Sequence, residues 1–234
     1  MKYLLFRVYG PMSSWGDIAV GETRPSFTHP SKSAIMGLVA GALGIRRDEE
    51  QTHCLLAEVL GFAVLVESAG VPLLDYHTAQ VPSGDEQYCT RKDELAGARG
   101  DLNTILSTRD YRGDGLYTVI LWEWKQSEWA LDRIEKALVR PVFVPYLGRK
   151  SCPTALPFQA QVVEAASLVD VISKGSFLNI QEFGFKPAGQ KTLYWEDCDG
   201  AGIDYQHIFE RRDITLSRGR WQFDVRRERQ AALT

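Results

Sequence analysis

The sequence predicts an α+β fold with a ferredoxin-like βαββαβ order, one long polar insertion and a small β-rich C-terminal appendage. Three observations predict it. Runs of branched and aromatic residues recur at 2–10, 61–68, 71–78 and 116–124. Helix-like apolar spacing occupies 31–45 and 127–140 between them. From 79 to 115 periodicity fails in a stretch with both signs of charge, too long for an ordinary loop within a compact domain.

Taken in order, "KYLLFRVYG" is a first strand closed by Gly10-Pro11, and residues 11–31 are a loop of Gly, Pro, Ser and Thr. In "SKSAIMGLVAGALGI" either Ser31 or Ser33 can cap a helix whose apolar face is Ile35, Leu38, Val39, Ala42 and Leu43. Gly37, Gly41 and Gly44 lower helix propensity there, which implies close packing against a sheet or a partner backbone. A short helix over 52–60 leads into the strand "GFAVLVES", and "VPLLDYHT" is a further strand. After the insertion come the strand "LYTVILWEW" and a capped amphipathic helix that stops before Pro141. "ALPFQAQVVEA" alternates like a strand, and residues 213–228 form a hairpin turning at Arg218-Gly219. The expected division is residues 1–165 for the main domain, with the insertion at 79–115, and 166–234 for a β-rich region docked on it. Deleting the insertion is expected to spare the core.

Composition excludes several classes. Of 234 residues, 44% are hydrophobic and 24% charged, which is ordinary for a globular protein. The apolar stretch 33–45 is too short to span a bilayer, and the N-terminus lacks the apolar core of a signal peptide. Cys54, Cys89, Cys152 and Cys198 are far apart with no CxxC pair, which fits reduced thiols in a cytoplasmic protein and no metal site. The net charge of −3 argues against a uniformly basic nucleic-acid binder. Charge is segregated, however. Residues 23–47 and 140–163 carry cations and no acid, 48–75 carry six acids and no base, and 211–229 hold seven arginines against three acids. Such blocks suggest an anion-facing surface, with solvated faces as the plain alternative.

"PYLGRKSCP", 145–153, is the most pointed of these segments. Gly148 removes a side chain where Arg149 and Lys150 supply charge, so nearby amides and the Ser151 hydroxyl could bind phosphate oxygens. Tyr146 could stack on a base. A proline-framed turn with two solvated cations is the alternative. Cys152 sits beside cations but has no histidine nearby in sequence to act as its base. "ETRPSFTHPSKS" places Arg24, Lys32 and Ser33 at a helix N-terminus, where free amides can hold phosphate, although a simply capped helix looks the same. Tyr76-His77 could do acid-base work in metal-free RNA cleavage, but strand neighbours point to opposite faces and a structural or stacking role fits as well. The insertion interleaves Arg91, Lys92, Arg99, Arg109 and Arg112 with Tyr88 and Tyr111, and its seven acids suit specific contacts or docking rather than bulk electrostatics.

"FRVYGPMSSWG", "TRPSFTHPSKSAIMGLVAGALGIRRD", "LDYHT" and "PYLGRKSCP" resemble, in order and spacing, the CasD-type subunits of type I-E CRISPR Cascade complexes. The resemblance covers roughly the first 155 residues. It implies a RAMP-superfamily protein, RRM-like, whose insertion is a protruding thumb. It also implies a non-catalytic role in antiviral defence. Such subunits bind the 5′ handle of the CRISPR RNA, cap the backbone subunits and contact the large PAM-reading subunit, with target DNA near its PAM-proximal end met indirectly. No cofactor, metal or membrane is implied. The implied RNA contacts are Arg24, Lys32, Ser33, Tyr76, His77, Arg109, Tyr146, Leu147, Gly148, Arg149, Lys150 and Ser151. A related type I-C protein cuts RNA, so Tyr76-His77 keeps a metal-independent endoribonuclease as the alternative.

Overall fold

The computed structural model describes residues 1–82, 87–97, 102–125, 129–183, 185, 190–217, 219–220 and 222–233. β1 (Lys2–Ser13) leads into the short strands β2 (Trp15–Gly16), β3 (Thr23–Arg24) and β4 (Ser26–Phe27). Helices α1 (Lys32–Leu43) and α2 (Glu50–Val59) follow, then β5 (Leu60–Ser68), β6 (Val71–Pro82), α3 (Arg91–Gly97) and β7 (Leu102–Glu123). The remainder is α4 (Leu131–Val139), β8 (Gln161–Glu164), α5 (Leu168–Lys174), a 3-10 turn (Ile180–Phe183), β9 (Lys191–Glu196), β10 (His207–Ser217) and β11 (Gln222–Leu233).

The main sheet runs β10-β11-β9-β5-β7-β1-β8, with every ladder along that order antiparallel. The four strands at one end of that order, β5-β7-β1-β8, all come from the first 164 residues. All nine residues of β5 are buried, which explains its continuous apolar run. Side chains alternate between faces, so Leu4, Phe6 and Val8 of β1 pack beneath α1, α2 and α4. Tyr3 and Leu5 face α5 and the segment around Ala201 instead. Helix α1 is capped by Ser31, whose Oγ accepts from the Ala34 amide, and closes at Gly44 in the left-handed region.

Several expectations change. Helix α4 starts after Ala130 with no side-chain cap, although a capped start was expected there. The strand expected over 155–165 is only the four residues of β8. The C-terminal hairpin is longer than 213–228, and Arg218 of its expected turn lies outside the described residues. The C-terminal strands β9, β11 and β10 continue the main sheet through the β9–β5 ladder.

The expected insertion needs the largest revision. β6 pairs with β7 all the way from Val71↔Gly113 to Pro82↔Leu102, so an ordered two-stranded arm begins before residue 79. At the other end, Arg112 and Gly113 are already paired with Ser13 and Met12 of β1, and Tyr111 is buried. A deletion of 79–115 would therefore cut into the core sheet. Residues 83–86 and 98–101, including the expected Arg99, lie outside the described residues.

Candidate nucleic-acid interface

The 146–153 loop is held almost entirely by its own backbone. A bridge between Tyr146 and Pro153 closes it, the Leu147 amide donates to Cys152 O at 2.7 Å, and the Cys152 amide donates to Arg149 O at 2.9 Å. The Ser14 amide donates to Leu147 O at 3.0 Å, which ties the loop to the end of β1. Leu147 and Cys152 are the inward anchors, both with no exposed surface. Burial raises the Cys152 thiol pKa, which leaves the thiol protonated and a poor nucleophile.

The outward residues are cationic. Arg149 lies over the Tyr111 ring, 4.7 Å from its centroid, and its Nη2 donates to Arg24 O at 3.3 Å. Its other terminal nitrogen, Nη1, is buried without a hydrogen-bond partner. β3 runs parallel to β7 with Arg24 beside Arg109, so three arginines distant in sequence meet at the root of the arm. Lys150 is exposed next to them. Asp75 sits opposite Arg109 in the β6–β7 register, so the cluster is cationic with one acid at its edge. The Arg24 guanidinium is turned to the Gly21 and Thr23 carbonyls, so the buried Arg149 Nη1 is the donor left without a partner here.

The arm's two faces separate the other candidates. Residues 73, 75 and 77 share the face of Tyr111 and Arg109, because strand neighbours alternate. His77 is therefore on the Arg149 side and Tyr76 on the other. His77 Nδ1 lies 3.8 Å from Asp75 Oδ2, too far for a hydrogen bond, and both side chains are about half exposed. Tyr76 is exposed opposite Thr108. Tyr146 is exposed at the mouth of the loop. The hydroxyl of Ser151 is 3.9 Å from the Cys152 sulfur, and the residue is exposed.

Three sequence expectations are corrected. Leu147 is a core residue, with both backbone polar groups engaged as above, so it offers nothing to a ligand. Gly148 has φ +82°, and a Cβ there would lie 1.8 Å from Ser14 O, so the glycine is required by the chain's own backbone rather than by close approach of a ligand. Lys32 is buried. Its Nζ donates to Glu196 Oε1 at 2.7 Å, and its amide donates to Asp213 Oδ2 at 2.8 Å. The helix N-terminus that was expected to hold phosphate already holds a carboxylate of this chain. Ser33 is engaged with Ser31, its Oγ 3.1 Å from the Ser31 Oγ.

Asp213 belongs to a buried ionic cluster that the sequence did not reveal. Arg226 bonds Asp213 at 2.7 and 2.9 Å and Glu228 at 2.5 Å. Arg211 reaches Glu228 at 3.5 Å and the carbonyls of His29 and Pro30. His29 donates from Nε2 to Glu228 at 2.9 Å, stacks on Tyr194 at 3.8 Å and faces the Thr28 hydroxyl through Nδ1. Two of the tail's seven arginines are thus internal, and a third, Arg229, is held by Asp197 and Asp199. Their count gave a misleading impression of an anion-facing surface.

This cluster makes the fold acid-sensitive. Burial lowers the His29 pKa from 6.5, with the neighbouring guanidiniums adding to the effect against the pull of Glu228. The unfolded chain therefore binds a proton near pH 6.5 that the folded chain does not, and stability falls as pH drops through that value. Burial alone would raise the Glu228 carboxyl, but the His29 hydrogen bond and the Arg226 and Arg211 charges hold it at about 2, so its contribution is lost between 4.5 and about 2. Thermal melts should show decline beginning near pH 6.5, and that first step should vanish in His29→Gln. A flat profile from pH 8 to 5.5 would show that His29 does not resist protonation.

Among the described residues, no three His, Cys, Asp or Glu side chains converge as a metal site, and no helix is long and apolar enough to cross a membrane. Residues 3–229 match the family model described as CRISPR-associated protein (Cas_Cas5). The chain belongs to this Cas5 family. The Cascade subunit CasD of Escherichia coli (strain K12) is 35% identical to this Cas5-family chain over 162 residues, which span 67% of this chain and 69% of that protein. Among solved structures, a chain of a CRISPR RNA-guided surveillance complex superposes with a TM-score of 0.68 at 24% identity, covering 98% of this chain and 89% of its own. A Cas protein crystal structure gives 0.60 at 23% identity, covering 99% and 94%. The Cas5 fold seen there is the mixed α/β, largely antiparallel arrangement described above.

Proposed function

We propose that this chain is a non-catalytic, cytoplasmic RNA-binding subunit of a type I-E Cascade-type surveillance complex. In this reading it grips the 5′ handle of the CRISPR RNA at the root of its arm and caps the backbone subunits. It also borders the large PAM-reading subunit and meets target DNA indirectly. The observation that carries the reading is the Arg24–Arg109–Arg149 cluster, with its unpartnered Arg149 Nη1, in a chain 35% identical to a Cascade subunit.

Residues 1–165 are best regarded as a ferredoxin-like, RRM-like domain, with the β6–β7 arm as its thumb and 166–234 docked on it. The order second-third-first-fourth of strands β5-β7-β1-β8 supports this. RRM domains stack bases on the sheet face opposite their helices. Here that face is occupied: Phe177 lies under Arg7, Phe185 packs on Tyr9, and Leu168 and Val171 bury against Tyr3 and Leu5. An RNA strand is therefore directed to the loop and arm, where Arg24, Arg109, Arg149 and Lys150 supply charge and Tyr146 an exposed ring.

The test is a salt series on the reconstituted complex. Arg149→Ala and Lys150→Ala should each weaken handle RNA binding equally for different sequences and reduce the salt slope by about one per lost phosphate contact. Tyr146→Ala should cost about 1–3 kcal/mol with an unchanged slope. An unaltered affinity and slope in the double cation variant would overturn the site. Incubating the protein with labelled repeat RNA in EDTA tests the endoribonuclease alternative, and cleavage abolished by His77→Ala would overturn the non-catalytic reading.

A further inference from the structure

Between α4 and the cationic loop the chain presents an apolar ridge that no element among the described residues covers. Val142 is 66% exposed, Phe143 46% and Val144 85%, with Val139 68% exposed at the end of α4. These residues are pinned. The Val142 and Phe143 amides donate to Ala42 O and Gly41 O at 3.0 and 3.2 Å, and Val142 packs on the Gly44 cap of α1. Beside Phe143 the α1 surface is open at Gly41, where a Cβ would meet nothing within 4 Å. The ridge and notch are thus preorganised, which lowers the ordering cost of binding.

We propose that this ridge is the docking surface for a protein subunit of the same assembly, one that offers an apolar side chain to the Gly41 notch and an acidic rim. The proposal rests on the functional reading above and adds the surface and the chemistry of the partner. The charge around the ridge selects that chemistry. Exposed Lys136 and Arg140 flank it and Arg149 and Lys150 follow it, against the partly exposed Glu135 one turn before Val139, and residues 140–163 contain no acid. A partner with acids at its edge is attracted and steered, and one with a basic rim is repelled. Three of the four ridge side chains are valines, which neither stack on bases nor neutralise phosphates, and the one ring, Phe143, is only 46% exposed, so a protein surface suits the ridge better than nucleic acid. Because the ridge runs directly into Tyr146, its partner also abuts the RNA cradle.

The experiment is pull-down of the co-expressed subunits through a tag on this chain, comparing wild type with Phe143→Ser/Val144→Asp and with Arg140→Glu. Retention of one protein subunit should drop roughly tenfold or more in the double variant, as expected for losing a central apolar anchor. Arg140→Glu should give a smaller loss that disappears at high salt. The melting midpoint and the isolated chain's affinity for handle RNA should both stay at wild-type values. Unchanged subunit retention overturns the proposal. So does a drop in the isolated chain's RNA affinity, or a wild-type dimer in light scattering that the double variant dissociates. If wild type itself retains neither subunits nor RNA, the functional reading fails first.

Discussion

Glu228→Ala should lower the unfolding free energy by about 3–5 kcal/mol, because it removes one carboxylate from a buried cluster whose charges balance. Arg211 and Arg226 face Asp213 and Glu228, two cations against two anions, and all four side chains are no more than 8% exposed. Without Glu228, Arg226 keeps both bonds to Asp213, but Arg211 is left 3.8 Å from that carboxylate with two carbonyls for company. His29 loses its acceptor as well. Glu228→Gln retains acceptor and shape while losing charge, so its penalty should be smaller. Urea denaturation measures both. A loss below about 1 kcal/mol for the alanine variant would show that water reaches the cluster and solvates the orphaned guanidinium.

How much of this was legible follows from what each residue buries. The strand at 61–68 is plain in the sequence because β5 is buried throughout. β7 is not, because its outer half pairs mainly with β6 in the arm and, apart from Tyr111, is exposed or half-buried. No apolar alternation marks it, and its 22 residues read as a polar insertion followed by a short strand. The cationic loop could be found because Gly, Arg and Lys stand together between prolines. Its partners could not, since Arg24 and Arg109 meet Arg149 only through the β3–β7 register and Tyr111 is set beneath Arg149 by the depth of the arm. Lys32 misled for the opposite reason. A cation at a helix start resembles a phosphate site until a carboxylate from the far end of the chain is found on the same amide.

Gly148→Ala separates the structural role of the loop from its proposed role in binding. The residue sits at φ +82°, where an L side chain costs about 1–3 kcal/mol. The added methyl would also meet Ser14 O at 1.8 Å and Ser14 C at 2.9 Å, which are backbone atoms that cannot swing aside. The loop must then lift from β1, breaking the Ser14–Leu147 hydrogen bond and dragging Leu147 from the core. Strain and repacking together predict a loss of roughly 2–5 kcal/mol. Arg149 would leave Tyr111 in the same motion, so RNA affinity should fall along with stability. Arg149→Ala removes the same guanidinium without moving the backbone and should reduce RNA binding at nearly wild-type stability. Measuring melting and handle-RNA affinity for both variants reads the difference directly. If Gly148→Ala melts like wild type and loses only RNA, the glycine serves close approach of the ligand, and the account of the loop given by Ser14 is wrong.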